Sequence, residues 1–291
     1  MNDGWFEAQR PRLMGIAYGM VGSVMEAEDV VQEAWLRWQA ADNTEIREPA
    51  AFLTTITTRL AIDQLWSARR RRETYVGPWL PEPIVRDYGD DSAEVVAEAE
   101  RLSMALLTAM ERLDPVERAV FLLRETFDFD HTEIADVVDK SPAACRQIAR
   151  RARDRVGDPH RRRPVDNPAE ALALFLAAIA TGDADALMQT LAADVIAWSD
   201  GGGVRRAARH PVPGAERVAK FVMSTFEYGR KRGGSAQVVS ANGGPALLVE
   251  LDGEPYGVMT FDIDDGLITA IRSIINPEKL GYTERVDRPD R

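Results

Sequence analysis

Between Glu73 and Asp91 the chain carries Gly77-Pro78, Pro81, Pro83 and Gly89. No helix or central strand runs through such a stretch, because proline lacks the backbone donor and glycine resists a fixed conformation. This break separates a helical beginning from everything after it. Residues 73 to 100 also hold eight acids (Glu73, Glu82, Asp87, Asp90, Asp91, Glu94, Glu98, Glu100) against one base, Arg86. On both sides the charge reverses, with Arg69 to Arg72 before it and Arg146, Arg150, Arg151, Arg153, Arg155 and Arg161 to Arg163 after it. The net charge of -11 at pH 7 therefore does not exclude nucleic acid, because the positive charge is gathered into clusters.

At 291 residues and 45% hydrophobic composition, two or three domains are expected. No run of about 18 apolar residues occurs, and Trp5, Glu7 and Arg10 interrupt the start, so a cytoplasmic protein without a membrane span is expected. The one cysteine, Cys145, has no partner for a disulfide or a metal site and reads as a small buried hydrophobe. Neither metal nor cofactor is expected.

Apolar residues at helical spacing predict three helices before the break, the second through Val30, Val31, Ala34, Trp35 and Trp38 and the third from Pro49 to the four arginines. Helical pattern resumes at Val95 and Val96. Asp114-Pro-Val-Glu117 and Asp130-His-Thr-Glu133 each place a capping acceptor three residues ahead of a glutamate, and Ser141-Pro142 supplies another cap. The predicted helices at about 131 to 138 and 142 to 155, joined by Asp139-Lys140-Ser141, suit a helix-turn-helix. The second helix of such a motif enters the major groove, and here it carries Arg146, Gln147, Arg150 and Arg151, with Lys140 and Ser141 able to hold a phosphate at its start. In the third helix, polar residues and Trp66 leading into Arg69 to Arg72 suit a single strand's backbone and splayed bases, although an aromatic there is more often core. The acidic second helix, with Glu26, Glu28, Asp29, Gln32 and Glu33, would repel DNA and points to a protein partner.

After Arg161 to Pro164 the pattern changes. Helices are predicted from Pro168 to near Gly182, from Asp183, and from Gly214 to Tyr228. Strand-like runs lie at Val195 to Trp198, Gln237 to Ser240, Ala246 to Leu251, Tyr256 to Ile263 and Leu267 to Ile275. Asn242-Gly243, Asp252-Gly253 and Asp265-Gly266 supply the turns. The expected fold is multidomain, with two all-α domains followed by an α+β domain built on a curved antiparallel sheet. The expected boundaries are 1–72, a connector at 73–92, 93–160, a short linker at 161–166, and 167–291.

Three sets of segments, in order, resemble the extracytoplasmic-function (ECF) sigma factors of bacterial RNA polymerase over residues 5 to 156: Asp29-Val-Val-Gln-Glu-Ala-Trp-Leu-Arg37, Ala51-Phe-Leu-Thr-Thr-Ile with Arg59-Leu-Ala-Ile-Asp63, and Leu113-Asp-Pro-Val-Glu-Arg-Ala-Val-Phe-Leu-Leu-Arg-Glu125 with His131-Thr-Glu-Ile-Ala135 and Ser141-Pro-Ala-Ala-Cys-Arg-Gln147. The remainder resembles the SnoaL-like, NTF2-like domain of the SigJ-like subgroup, through Trp79-Leu-Pro-Glu-Pro83, Asp200-Gly-Gly-Gly203 and Asn276-Pro-Glu-Lys-Leu280. Val204 stands where that subgroup usually has a basic residue.

The resemblance implies that Asp29, Gln32, Glu33 and Arg37 meet core RNA polymerase. It implies that the loop from Gln39 to Glu48, Arg59, Asp63 and Arg69, Arg70, Arg71 and Arg72 handle the melted minus-ten strand, and that Arg146, Gln147, Arg150 and Arg151 contact the minus-thirty-five duplex, beside the phosphate that Lys140 and Ser141 can hold. It also implies that the acidic connector threads near the polymerase active-site channel. Trp79, Pro81, Asp200, Gly201, Gly202, Gly203, Asn276, Pro277 and Leu280 are implied to hold the C-terminal domain against the rest of the chain and so regulate it in cis. Catalysis by that domain would need Asp200 or His210 in an apolar cavity; an Asx turn is the simpler role for Asp200, and a non-catalytic protein is expected. A small-molecule ligand near Trp198, Phe221, Tyr228 and Tyr256 is a further expectation. The alternative for the whole chain is a dimeric helix-turn-helix regulator with a ligand-binding C-terminal domain, acting without core polymerase.

Overall fold

The computed structural model describes residues 2–41, 46–87, 102–157 and 168–281, which form two compact units. The first combines the described residues up to Thr74 with 102–157, and the second combines 75–87 with 168–281. The apolar pattern from Val95, the basic run Arg161 to Arg163, and part of the Gln39 to Glu48 loop lie outside the described residues.

In the first unit, helices α1 (Asn2–Val21), α2 (Val24–Ala40) and α3 (Pro49–Arg72) pack on one another. They are followed by α4 (Met104–Met110), α5 (Pro115–Glu125), α6 (His131–Val138) and α7 (Pro142–Val156). The caps read from the sequence form. Asp114 with Glu117, and Asp130 with Glu133, make complete capping boxes, and the Ser141 hydroxyl accepts from the Ala144 amide at 3.2 Å. Each cap satisfies donors that a helix leaves exposed at its start. Between α6 and α7, Asp139 adopts a left-handed φ of 53°, which turns the chain sharply and completes the helix-turn-helix. Cys145 faces the core beside Ile148, Ala149 and Ala152, and burial raises its thiol pKa.

The two halves of this unit approach at Gly19. A Cβ there would lie 2.7 and 2.9 Å from the Leu122 and Leu102 side chains, so any larger residue would force these buried leucines to shift.

In the second unit, α8 (Pro168–Thr181), α9 (Ala184–Gln189) and α10 (Ala215–Arg230) cover one face of a seven-stranded sheet. The strands are β1 (Val85–Asp87), β2 (Leu191–Asp200), β3 (Val212–Pro213), β4 (Ser235–Ala241), β5 (Gly244–Leu251), β6 (Glu254–Asp264) and β7 (Leu267–Ile274), in the order β1-β4-β5-β6-β7-β2-β3. Asn242, Asp252 and Asp265, each left-handed and each followed by a left-handed glycine, make the three hairpin turns. The core lies between helices and sheet, where Phe175 meets Phe226 and Phe261 edge-on at 6.4 and 5.1 Å.

Two expectations are corrected. The sheet is not wholly antiparallel, because β2 pairs in parallel with β7 from Ile196↔Ala270 to Asp200↔Ile274. The long return through α10 between β2 and β4 permits this pairing. The stretch expected as a connector, with Trp79 and Pro81 as contacts, is over residues 75–87 an integral part of the C-terminal unit: Val85, Arg86 and Asp87 form edge strand β1 against Ala241, Ser240 and Val239. Val85 and Leu280 then pack with Val239, Ala241, Ala246, Leu248 and Val258 on the sheet face turned away from the helices. Glu82 is buried, so residues 75 to 87 form a strap and do not hang free as an acidic thread.

Candidate functional site

On α7, Arg146, Gln147, Arg150 and Arg151 are exposed along the face opposite the buried Cys145, Ile148, Ala149 and Ala152. No ion pair engages Arg146, Arg150 or Arg151 among the described residues. By contrast Arg153 and Arg155 turn back to Glu125 and Glu117, each at 2.5 Å. Lys140 and Ser141 lie exposed at the N-terminus of α7, where the helix dipole and free amides favour a phosphate. The recognition helix thus presents a set of unengaged donors beside a helix start suited to an anion.

On α3, Arg59, Asp63, Trp66 and Arg70 recur at helical spacing and all are exposed, so they form one stripe. Trp66 is 49% exposed, which makes it a surface ring and not the core residue that frequency favours. Arg59 is already engaged: its Nε and Nη2 donate to the carbonyls of Val137 and Asp136 at the end of α6, both at 2.9 Å. The expectation that Arg69 to Arg72 act together on a DNA strand is revised. Arg69 donates to the carbonyls of Glu111 and Leu113. Arg72 pairs with Glu111 at 2.8 Å and donates to the Val21 carbonyl at 2.8 Å. Burial lowers the pKa of both guanidinium groups, and Glu111 partly offsets it. Arg71 pairs with Glu26 at 2.5 Å on the surface, and Arg70 remains exposed.

Glu111 is the centre of this arrangement. It also pairs with Arg118, which is 0% exposed and donates its Nε to the Gly19 carbonyl at 2.8 Å. Arg118 is seven residues from Glu111, but nothing in the local sequence marks Arg72 or Gly19 as partners, which lie about 40 and 100 positions away from the residues they meet.

On α2, Met25, Asp29, Gln32 and Leu36 share an outward face, with Met25 62% and Leu36 48% exposed. Glu33 and Arg37 pair at 2.9 Å one turn apart. Exposed apolar side chains among acids are what a protein partner needs, since apolar burial supplies affinity and charge supplies register.

In the second unit the three motifs of the C-terminal resemblance converge on Asp200, which is 1% exposed. Its Oδ2 accepts from the Leu80 amide at 2.8 Å and from Lys279 Nζ at 2.6 Å. Its Oδ1 accepts from the Tyr75 hydroxyl and from the Gly202 amide at 3.1 Å, closing the Asx turn. Lys279 also donates to the Leu80 carbonyl and lies 4.0 Å above the Trp79 ring. Asn276 Nδ2 donates to the Tyr75 hydroxyl at 3.0 Å, and burial with the Asp200 contact raises the pKa of that phenol. Pro277 opens the short 3-10 turn (Pro277–Lys279) that aims Lys279 inward, and Pro81 and Leu280 are buried. Lys279 was not singled out among the expected regulatory residues; its place inside Asn276-Pro-Glu-Lys-Leu280 was the available signal.

The glycines fit this clasp. Gly201 faces the Arg205 carbonyl, 2.2 Å from where a Cβ would lie, and Gly202 has φ +63° with Asn276 2.5 Å from the same position. Gly202→Ala is therefore expected to lower the stability of the C-terminal unit by about 1–3 kcal/mol, read by denaturant unfolding. Arg205, one residue beyond Val204, donates to the carbonyls of Tyr256 and Ile275 and stacks 4.4 Å from the Tyr256 ring.

With all of these donors on its carboxylate, Asp200 is fitted to hold the strap, and His210 lies exposed in a loop. The aromatic residues expected around a ligand each have a neighbour within the unit, with Tyr256 under Arg205. Trp198 stacks on Arg272, Tyr228 on Arg232, and Phe221 packs against the core. No helix among the described residues is long and apolar enough to cross a membrane, and no cluster of possible metal ligands occurs among them.

Comparison with known proteins agrees with this division. Residues 5–72 match the Sigma-70 region 2 family and residues 103–156 match Sigma-70, region 4. The chain is 40% identical to the ECF RNA polymerase sigma factor SigJ of Mycobacterium tuberculosis, over 94% of this chain and 91% of that protein. It is 32% identical to the probable ECF sigma factor SigI of the same species, over 94% and 93% of the two chains. The crystal structure of the M. tuberculosis SigJ superposes with a TM-score of 0.79 at 35% identity, covering 96% of this chain and 98% of that one. Two helical promoter-factor domains in family order, extended by the same α+β domain along nearly the whole length, make this chain a member of the ECF RNA polymerase sigma factors of the SigJ-like kind.

Proposed function

We propose that the chain directs core RNA polymerase to promoters from the cytoplasm, reading the minus-thirty-five duplex with Arg146, Gln147, Arg150 and Arg151. In this reading Lys140 and Ser141 position a phosphate, and the Arg59, Asp63, Trp66 and Arg70 stripe with Arg71 handles the melted minus-ten strand. Met25, Asp29, Gln32, Glu33, Leu36 and Arg37 dock on polymerase. The C-terminal unit acts without catalysis, regulating in cis by holding residues 75 to 87. The observation that carries the DNA assignment is the contrast on α7 between unengaged Arg146, Arg150 and Arg151 and engaged Arg153 and Arg155.

The two promoter elements lie about 25 base pairs apart, roughly 85 Å at ~3.4 Å per pair. Arg59 is hydrogen-bonded to the helix that leads into the recognition helix. Groups in such contact do not serve both sites at once, so the helical unit opens on the promoter.

The test is transcription with reconstituted core polymerase. Arg146→Ala and Arg150→Ala should each weaken promoter binding by the holoenzyme about tenfold, while Arg155→Ala leaves it within about twofold. Gel-shift titrations at several salt concentrations measure both. Specific binding of promoter duplex by the chain alone, with no transcription on adding core enzyme, would instead support the dimeric regulator.

A further inference from the structure

The C-terminal unit contains a cavity of about 1240 Å³ between α10, the end of α8, α9 and parts of β4, β5 and β6. Its wall is apolar, formed chiefly by Ile179, Met188, Met223, Phe226, Val249 and Met259. Pockets that enclose small molecules measure roughly 300–1,000 Å³, so the space accepts a sizeable ligand. Methionine side chains are flexible and polarizable, and they mould to elongated or irregular apolar surfaces.

The polar groups narrow the class. Thr181 donates to the carbonyls of Ala177 and Ala178 at 3.0 and 3.2 Å, and Ser235 donates to Glu250 at 3.1 Å, so these hydroxyls already have acceptors. At the mouth, Glu216 pairs with Lys220 at 2.7 Å and Glu227 with Lys231 at 2.6 Å. Arg230, which also lines the cavity, makes no ion pair among the described residues. Arg230, near enough to Glu227 for its charge to act on that carboxylate but not bound to it in an ion pair, therefore remains a cation with open hydrogen-bond donors at the edge of an apolar wall. We infer that this cavity binds an elongated apolar carboxylic acid, with its hydrocarbon part against the methionines and its carboxylate at Arg230.

The site is coupled to the strap through shared strands. Ser235 and Ala236 of β4 line the cavity, and Val239, Ser240 and Ala241 of the same strand pair with β1. On β6, Met259 lines the cavity while its neighbour Val258 packs on the other face with Val85 and Leu280. A ligand that shifts or stiffens β4 and β6 alters the surface that grips residues 75 to 87. This consequence rests on the proposed regulation in cis; the binding does not.

The test uses the full chain and cis-parinaric acid, a fluorescent long-chain fatty acid, beside its uncharged methyl ester. The acid should bind saturably at one site per chain, with the ester about fivefold weaker. Arg230→Gln should bring the acid down to the ester's affinity and leave the ester unchanged. Met223→Trp, which narrows the cavity at its apolar wall, should weaken binding of both severalfold while basal transcription persists; Ser224→Trp, at an exposed position of the same wall, does the same should Met223→Trp fold poorly. Saturating acid should change hydrogen exchange at the Leu80 and Ile84 amides, which bond to Asp200 and Asn242.

Absence of saturable binding, or undiminished binding by both tryptophan variants, overturns the site. Equal affinity for acid and ester overturns the ligand class, and unchanged exchange at both amides overturns the coupling. Because binding is read on the free chain, a failed polymerase assay and a failed ligand assay remain distinct results.

Discussion

Replacing Arg118 with methionine is expected to lower the unfolding free energy of the helical unit by about 3–5 kcal/mol, because it leaves Glu111 in its protected position with one of its two paired guanidinium groups gone. The Gly19 carbonyl loses its donor in the same step. Arg118→Met with Glu111→Met removes both charges and should cost less than the sum of the single changes, with a coupling of about 1–3 kcal/mol. Denaturant unfolding of the four proteins closes the cycle, and strict additivity would remove Glu111 from the centre of this network.

Acid should reproduce part of the effect. Burial alone would raise the Glu111 carboxyl, but Arg118 and Arg72 outweigh it and hold the pKa below the ordinary value of 4.5. A carboxyl depressed in the folded state stabilises fully above its unfolded value and loses that contribution as pH falls through the folded one. The helical unit should therefore keep this contribution at neutral pH and lose it in solutions more acidic than 4.5. Glu111→Gln should flatten that limb of the stability profile.

Asp200→Asn is the second substitution with a large expected effect, again about 3–5 kcal/mol, this time in the C-terminal unit. The amide is nearly isosteric but leaves the buried Lys279 ammonium without its carboxylate and turns one acceptor into a donor facing Tyr75 or Leu80. The strap should loosen before the sheet does, since the strap's contacts to Asp200 and Lys279 join it to the sheet from outside. Limited proteolysis within residues 75–87 and Trp79 fluorescence report that loosening. Transcription by the reconstituted holoenzyme should move in step with cleavage across Asp200→Asn, Lys279→Met and the double variant. A loosened strap with unchanged transcription would detach the clasp from regulation.

What could be read in advance was short-range. Asp114 and Asp130 announce their helices because the capping partner is three residues away, and Asn242-Gly243, Asp252-Gly253 and Asp265-Gly266 specify tight turns by their own conformational preferences. The exposed face of α7 follows from the spacing of Cys145, Ile148 and Ala149. The resemblance pointed to Trp79 and Pro81 as contacts, but the edge strand Val85–Asp87 was not legible, because proline and glycine mark the absence of regular structure and not the absence of packing. Pro81 and Pro83 lie buried all the same. Nor could composition separate Arg69 and Arg72, turned to Glu111 and its neighbours, from Arg70 on the surface. Their roles depend on where residues 40 positions away return in space. The parallel partner of β2 was hidden for the same reason, being set by the path through α10.

Pinning residues 75 to 87 to the sheet also fixes how much chain is available between the two promoter-binding modules. The thirteen residues from Tyr75 to Asp87 would span at most ~45 Å if drawn out straight. While the clasp is shut that length is withheld from the leash joining α3 to α4, and when Asp200 lets go it is added at once. Under the proposed regulation in cis, the C-terminal domain would control reach as well as contact, setting how far apart on a duplex the two modules can stand while remaining one molecule.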